Sequence, residues 1–122
     1  MPKRLIVVDD APIVRLMLKD ILTRHGYQVI AECANGEEGV NEYKKLWPDA
    51  VTMDITMPVK DGIAALEEIL AVDPNARVVM VTAIEEREYL MKAIKLGAVD
   101  YIVKPFEEER VVAAIENALS GE

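Results

Sequence analysis

Four short apolar runs, Leu5–Val8, Ala50–Met53, Val78–Val81 and Tyr101–Val103, constrain this chain more than any other feature. Each is nearly continuous rather than alternating, the pattern of a strand covered on both faces, as in parallel sheets. A fifth run, Gln28–Cys33, alternates more and suits a place nearer an edge. Parallel neighbours cannot be joined by a tight hairpin and need a crossover, usually a helix. The intervening residues supply one each time. Ile13, Val14, Met17, Leu18, Ile21 and Leu22 form an i, i+4 stripe, opened by Pro12 and stopped by Gly26. Asn35 with Glu38 has capping-box spacing, and Trp47-Pro48 closes that helix. A third helix runs over 62–72, after Asp61-Gly62 and before Asp73-Pro74. Leu90, Met91 and Ile94 mark a fourth, ended by Gly97, and Glu107, Glu108 and Glu109 sit at the dipole-favoured start of a fifth. A β-α unit repeated five times predicts an α/β fold: an open, five-stranded parallel sheet with helices on both faces. Residues 1–122 are used up by this single domain, without repeat or linker.

The bulk numbers narrow the function classes. A chain of 122 residues, 52% hydrophobic and 30% charged, is long enough and apolar enough to bury a core. Its net charge of −8 opposes binding to nucleic acid or to an anionic membrane. The single cysteine, Cys33, cannot form an internal disulfide, and neither a signal peptide nor a bilayer-length apolar run is present, so a cytoplasmic monomer is expected. Met1 and the polar ending Ser120-Gly121-Glu122 suggest a complete chain.

The polar residues gather at one edge. Asp9-Asp10 follow the first strand, Asp54 the third, Thr82 the fourth and Lys104-Pro105 the fifth. All lie at carboxyl ends of strands, where open α/β sheets bind ligands. Three carboxylates this close repel by roughly 4 kcal/mol per pair at 4 Å and an effective dielectric near 20. Either their pKa values rise or a cation sits among them. An all-oxygen set without His or Cys suits a hard ion such as Mg²⁺. Thr82 and Lys104 are donors and suit an anion. A carboxylate, a cation site, a lysine and a hydroxyl together are equipped for phosphoryl transfer to aspartate.

The ordered set Asp9-Asp10, Met53-Asp54-Ile55-Thr56-Met57-Pro58, Thr82-Ala83 and Lys104-Pro105-Phe106 resembles the receiver domain of two-component response regulators, over essentially the whole chain. With no further domain attached, the resemblance is to the stand-alone receivers of chemotaxis. It implies the flavodoxin-like strand order 2-1-3-4-5, which run spacing alone does not specify. It implies Asp54 as phosphoacceptor, and Asp9, Asp10, Asp54 and the Thr56 carbonyl as Mg²⁺ ligands. Thr82, Ala83 and Lys104 would contact the phosphoryl group, with Thr82 and Tyr101 as the switch pair. Thr56 and Ile84 would modulate phosphoryl lifetime; neither offers an acid or carboxamide to place the hydrolytic water, so slow self-dephosphorylation is expected. Lys60 stands where the family often has methionine. The implied function is a signalling switch that catalyses its own phosphorylation rather than an enzyme acting on other substrates. A CheA-like histidine kinase would lie upstream, and a motor or adaptor protein, with a phosphatase, downstream.

Other readings compete. The chain could be a receiver cut from a larger regulator, or an intermediate in a phosphorelay outside chemotaxis. An FMN carrier shares the fold, but Asp9-Asp10 would repel its phosphate. A haloacid-dehalogenase-type phosphatase needs an acid two residues after its nucleophile, where Thr56 stands. A silent pseudo-receiver would have lost one of the key residues. Default roles also exist: Asp9-Asp10 as a helix cap, His25 as a solvated helix end, the methionines as core filler, and the charge runs 85–88 and 107–110 as solvated helix starts.

Overall fold

The computed structural model describes residues 1–120, so Gly121 and Glu122 of the polar ending lie outside the described residues. The five runs become strands β1 (Arg4–Val8), β2 (Gln28–Cys33), β3 (Ala50–Asp54), β4 (Val78–Ala83) and β5 (Asp100–Lys104). All neighbours are parallel, in the order β2-β1-β3-β4-β5, which puts β2 at an edge. The helices are α1 (Pro12–Arg24), α2 (Gly36–Leu46), α3 (Gly62–Val72), α4 (Arg87–Leu96) and α5 (Glu108–Leu119); the first four are the crossovers between successive strands and α5 follows β5. A 3-10 turn, Ile84–Glu86, joins β4 to α4.

Strand parity divides the interior in two. Leu5, Val7, Val79, Val81 and Ile102 face one core with Leu18, Ile21 and Leu22 of α1 and Val111 and Ile115 of α5. Ile6, Val8, Val51, Met53 and Met80 face the other, with Val40 of α2, Leu66 and Ile69 of α3 and Ala93 of α4. Both faces being covered is why the strand sequences lack alternation.

Local chemistry sets the helix ends. The Glu38 N–H donates to Asn35 Oδ1 at 2.9 Å, while Glu38 Oε1 accepts from the Ala34 N–H at 2.9 Å. Asp61 caps α3 by accepting from the Ala64 N–H at 2.9 Å. Trp47 ends α2 in the left-handed region (φ 46°), and Gly97 ends α4 at φ 127°. Three expectations shift. Ile13 and Met17 of the α1 stripe are exposed, because α1 meets the sheet through Leu18, Ile21 and Leu22. Met91 is likewise exposed rather than core filler. His25 is not merely solvated: its Nε2 lies 2.7 Å from Glu108 Oε2, joining α1 to the first turn of α5.

Candidate functional site

Register brings the acids together. Val8 of β1 pairs with Met53 of β3, so the next residues, Asp9 and Asp54, emerge side by side. The crossovers after β1 and β3 leave the sheet on opposite faces, which opens a crevice between the two strand ends. On the other side Asp54 pairs with Val81, one residue before Thr82, and Ala83 pairs with Lys104. Four separate strands therefore deliver their polar ends to one place by pairing alone.

Burial is deeper than a strand end suggests. Asp9 is 0% exposed, Asp54 4% and Thr82 1%, whereas Asp10 is exposed. Carboxylate oxygens of Asp9, Asp10 and Asp54 all lie within 4.8 Å of one another. At that separation each ionised pair repels by about 3–4 kcal/mol at an effective dielectric near 20. Burial pushes the Asp54 carboxyl up to about 7, and the charge of Asp9 adds to the rise. Lys104 and the Ile55 N–H, which donates to Asp54 Oδ1 at 2.9 Å, pull it back down.

Lys104 bridges the pair, with Nζ 3.0 Å from Asp9 Oδ2 and 3.3 Å from Asp54 Oδ1. Burial alone would lower its pKa, but its bonds to the two aspartates outweigh that and the net shift is upward. The ammonium reaches Asp9 Oδ2 as an ion pair at 3.0 Å, outside hydrogen-bond geometry. One ammonium shared between two buried carboxylates, with a third acid beside them, leaves negative charge that a further cation would offset. With Asp10 and Asp54 beside Asp9, the cluster fits a hard divalent ion with oxygen ligands.

The remaining expected residues surround this centre. The Thr82 hydroxyl donates to the Ala83 carbonyl at 3.0 Å. Ile84 is 75% exposed, and Thr56 is exposed on the β3–α3 loop. The Tyr101 ring is turned outward, 41% exposed, with the Arg110 guanidinium 5.4 Å from its centroid. Beside the ring a groove of about 320 Å³ is lined by Thr82, Ile84, Leu90, Met91 and Ile94.

Two residues escaped the sequence reading. Glu86, in a charge run expected to be solvated, is half-buried while its neighbours Glu85, Arg87 and Glu88 are exposed. Its Oε1 accepts from the Ala83 N–H at 2.8 Å, and its Oε2 accepts from the Thr56 hydroxyl. The spacing was a usable signal, since a Glu three residues after the residue that opens a turn can reach back to its N–H. Gly62 is the other: a Cβ there would lie 2.0 Å from the Asp54 carbonyl oxygen.

A doubly wound domain with an acidic pocket and a lysine at its switch point is the class that fold and site define. The family description "response regulator receiver domain" matches residues 5–116, and the chain belongs to that family. Chemotaxis protein CheY of Thermotoga maritima is 52% identical over 94% of this chain and 96% of its own length. CheY of Bacillus subtilis is 48% identical over 98% and 100%, respectively. Among solved structures, one from Borrelia burgdorferi, described as a CheX–CheY complex with beryllofluoride and magnesium, superposes with a TM-score of 0.91. It is 36% identical and aligns over 95% of this chain and 88% of that one.

Proposed function

We propose that this chain accepts a phosphoryl group on Asp54 from the phosphohistidine of a CheA-like kinase and, so modified, changes its affinity for a motor or adaptor protein of chemotaxis. The observation that carries the reading is a buried carboxylate held between a lysine and two further acids. An Asp54 oxygen attacks phosphorus, the phosphorus–nitrogen bond breaks, and the imidazole leaves with the bonding electrons. The product is an aspartyl phosphate. Lys104, 3.3 Å from the acceptor, meets the incoming negative charge, and the Thr82 hydroxyl and Ala83 N–H are donors for the phosphoryl oxygens. Asp9, Asp10, Asp54 and the Thr56 carbonyl would hold Mg²⁺, which when bound neutralises charge on carboxylates and phosphoryl oxygens.

A dianionic acceptor draws the Thr82 hydroxyl away from the Ala83 carbonyl, and the groove beside Tyr101 gives the ring room to turn inward. The magnesium and beryllofluoride of the Borrelia structure, and its partner CheX, support the cofactor and a protein partner downstream. Among the described residues no helix is long and apolar enough to cross a membrane. The test is treatment with acetyl phosphate and Mg²⁺, followed by intact-mass measurement. Wild type gains one phosphoryl group and Asp54→Asn gains none; an undiminished adduct on Asp54→Asn moves the acceptor elsewhere.

A further inference from the structure

Glu86 offers a carboxylate to the donors that a phosphoryl group on Asp54 needs. Its Oε1 takes the Ala83 N–H at 2.8 Å and lies 3.5 Å from the Thr82 hydroxyl oxygen. Its Oε2 takes the Thr56 hydroxyl. Glu85, Arg87 and Glu88 around it point into solvent, so the inward turn belongs to Glu86 alone. A backbone N–H carries one proton and serves one acceptor well. We infer that Glu86 is an internal stand-in for the phosphoryl group, holding the Ala83 N–H and the Thr56 hydroxyl in the unmodified protein, with its charge beside the Thr82 hydroxyl, until phosphoryl oxygens displace it.

This inference rests on Asp54 as acceptor and concerns what phosphorylation must overcome. The carboxylate and an incoming dianion compete for the same donors and also repel each other, so Glu86 raises the threshold for occupancy of the site. Its departure has a second effect. Glu86 closes the 3-10 turn Ile84–Glu86 and is the residue on which α4 begins, so losing its bond to Ala83 loosens the start of α4. That couples the pocket to the helix lining the Tyr101 groove, alongside the Thr82 route.

The competing explanation is purely local: Glu86 caps the 3-10 turn and has no bearing on the pocket. Gln caps as well as Glu but carries no charge, which separates the two accounts. The probe is beryllofluoride, a tetrahedral phosphoryl mimic, titrated by calorimetry at saturating Mg²⁺ into wild type, Glu86→Gln and Glu86→Ala. Release of one charge-assisted hydrogen bond predicts roughly tenfold tighter binding for Glu86→Ala, with Glu86→Gln between it and wild type. Thermal melting is followed in parallel. Glu86→Gln indistinguishable from wild type, with Glu86→Ala melting lower and binding no tighter, would overturn the inference in favour of simple capping. If Glu86→Ala does not fold, Glu86→Gln decides by itself. Asp54→Asn separates the two levels: should it bind beryllofluoride as wild type does, the acceptor assignment fails and the stand-in falls with it. Wild-type binding that needs Asp54 but ignores both Glu86 substitutions overturns the stand-in alone.

Discussion

Gly62→Ala should disable the pocket without touching any polar group in it. Gly62 opens α3, and its N–H donates to the Ile55 carbonyl at 2.7 Å, folding the loop back against the end of β3. Its φ lies outside the left-handed region, so the constraint is space rather than conformation. An added Cβ would sit 2.0 Å from the Asp54 carbonyl oxygen against the 3.4 Å at which ordinary contact begins, a shortfall of about 1.4 Å. The obstructing atom is backbone and cannot rotate away, so β3 or α3 must move, and the Asp54 carboxylate with it. Misplacement of a reacting group by about 1 Å costs on the order of 10²-fold in rate. Forcing a methyl into packed structure costs about 1–3 kcal/mol, against about 0.4–1 kcal/mol regained from Ala's smaller chain entropy. The expected variant folds, melts a few degrees lower, and takes phosphate from acetyl phosphate about 10²-fold more slowly. Gly26→Ala is the control. Gly26 has φ +88° with nothing within 4 Å of its added Cβ, so Ala there costs about 1–2 kcal/mol of conformational strain far from the pocket. It should lower Tm and leave the phosphorylation rate alone. Wild-type Tm and rate in Gly62→Ala, or equal slowing in Gly26→Ala, would refute the steric reasoning.

Asp54→Asn should be more stable than wild type in metal-free buffer above pH 7. The folded carboxyl titrates near 7 rather than 3.8, so the ionised form disfavours the fold; the gap opens from about pH 3.8 upward, is complete above 7, and closes in acid. A carboxyl so displaced, with the pull of Lys104 already counted in its position, corresponds to a gain of up to about 4 kcal/mol for the neutral side chain, read from urea midpoints across pH. Glu108 shows the opposite sign: its bonds to Arg24 and His25 lower it from 4.5 to about 2. Its stabilisation is therefore complete above pH 4.5 and lost toward pH 2, so the Tm difference between wild type and Glu108→Gln should shrink over that window and with added salt. Thr56→Asn combined with Ile84→Glu should speed decay of the aspartyl phosphate, by up to roughly 10²-fold if a polar group then places the water. Equal decay rates at constant Mg²⁺ would show that the flanking positions do not set the lifetime.

Much of the architecture was legible because it is repetitive. Each buried strand must be apolar along its length, and each crossover helix must carry an apolar stripe, so β1 to β5 and α1 to α5 announce themselves residue by residue. Where the sheet reads through side chains of one face only, the reading weakened. Ile13 and Met17 have the spacing of a core stripe but lie exposed, because α1 rolls onto the sheet through Leu18, Ile21 and Leu22.

The strand-end acids were also visible, since a charged residue directly after an apolar run has few structural reasons to be there. Sequence could place Asp9, Asp54, Thr82 and Lys104 at strand ends, but their meeting depends on parallel pairing, with Val8 beside Met53 and Ala83 beside Lys104. The order 2-1-3-4-5 came with the family resemblance, since run lengths carry no information about which strands are neighbours. Glu86 and Gly62 acquire their roles only in the tertiary structure. The three-residue spacing from Ala83 singles out Glu86 from Glu85 and Glu88 only where a turn opens at Ala83; the 3-10 turn there rotates Glu86 inward and leaves the others in water. Gly62 reads as an ordinary helix start until the loop folds its Cα against the Asp54 carbonyl. Patterns of burial repeat along the chain and can be read from it, whereas contacts between the end of one strand and the turn after another exist only once the chain has closed on itself.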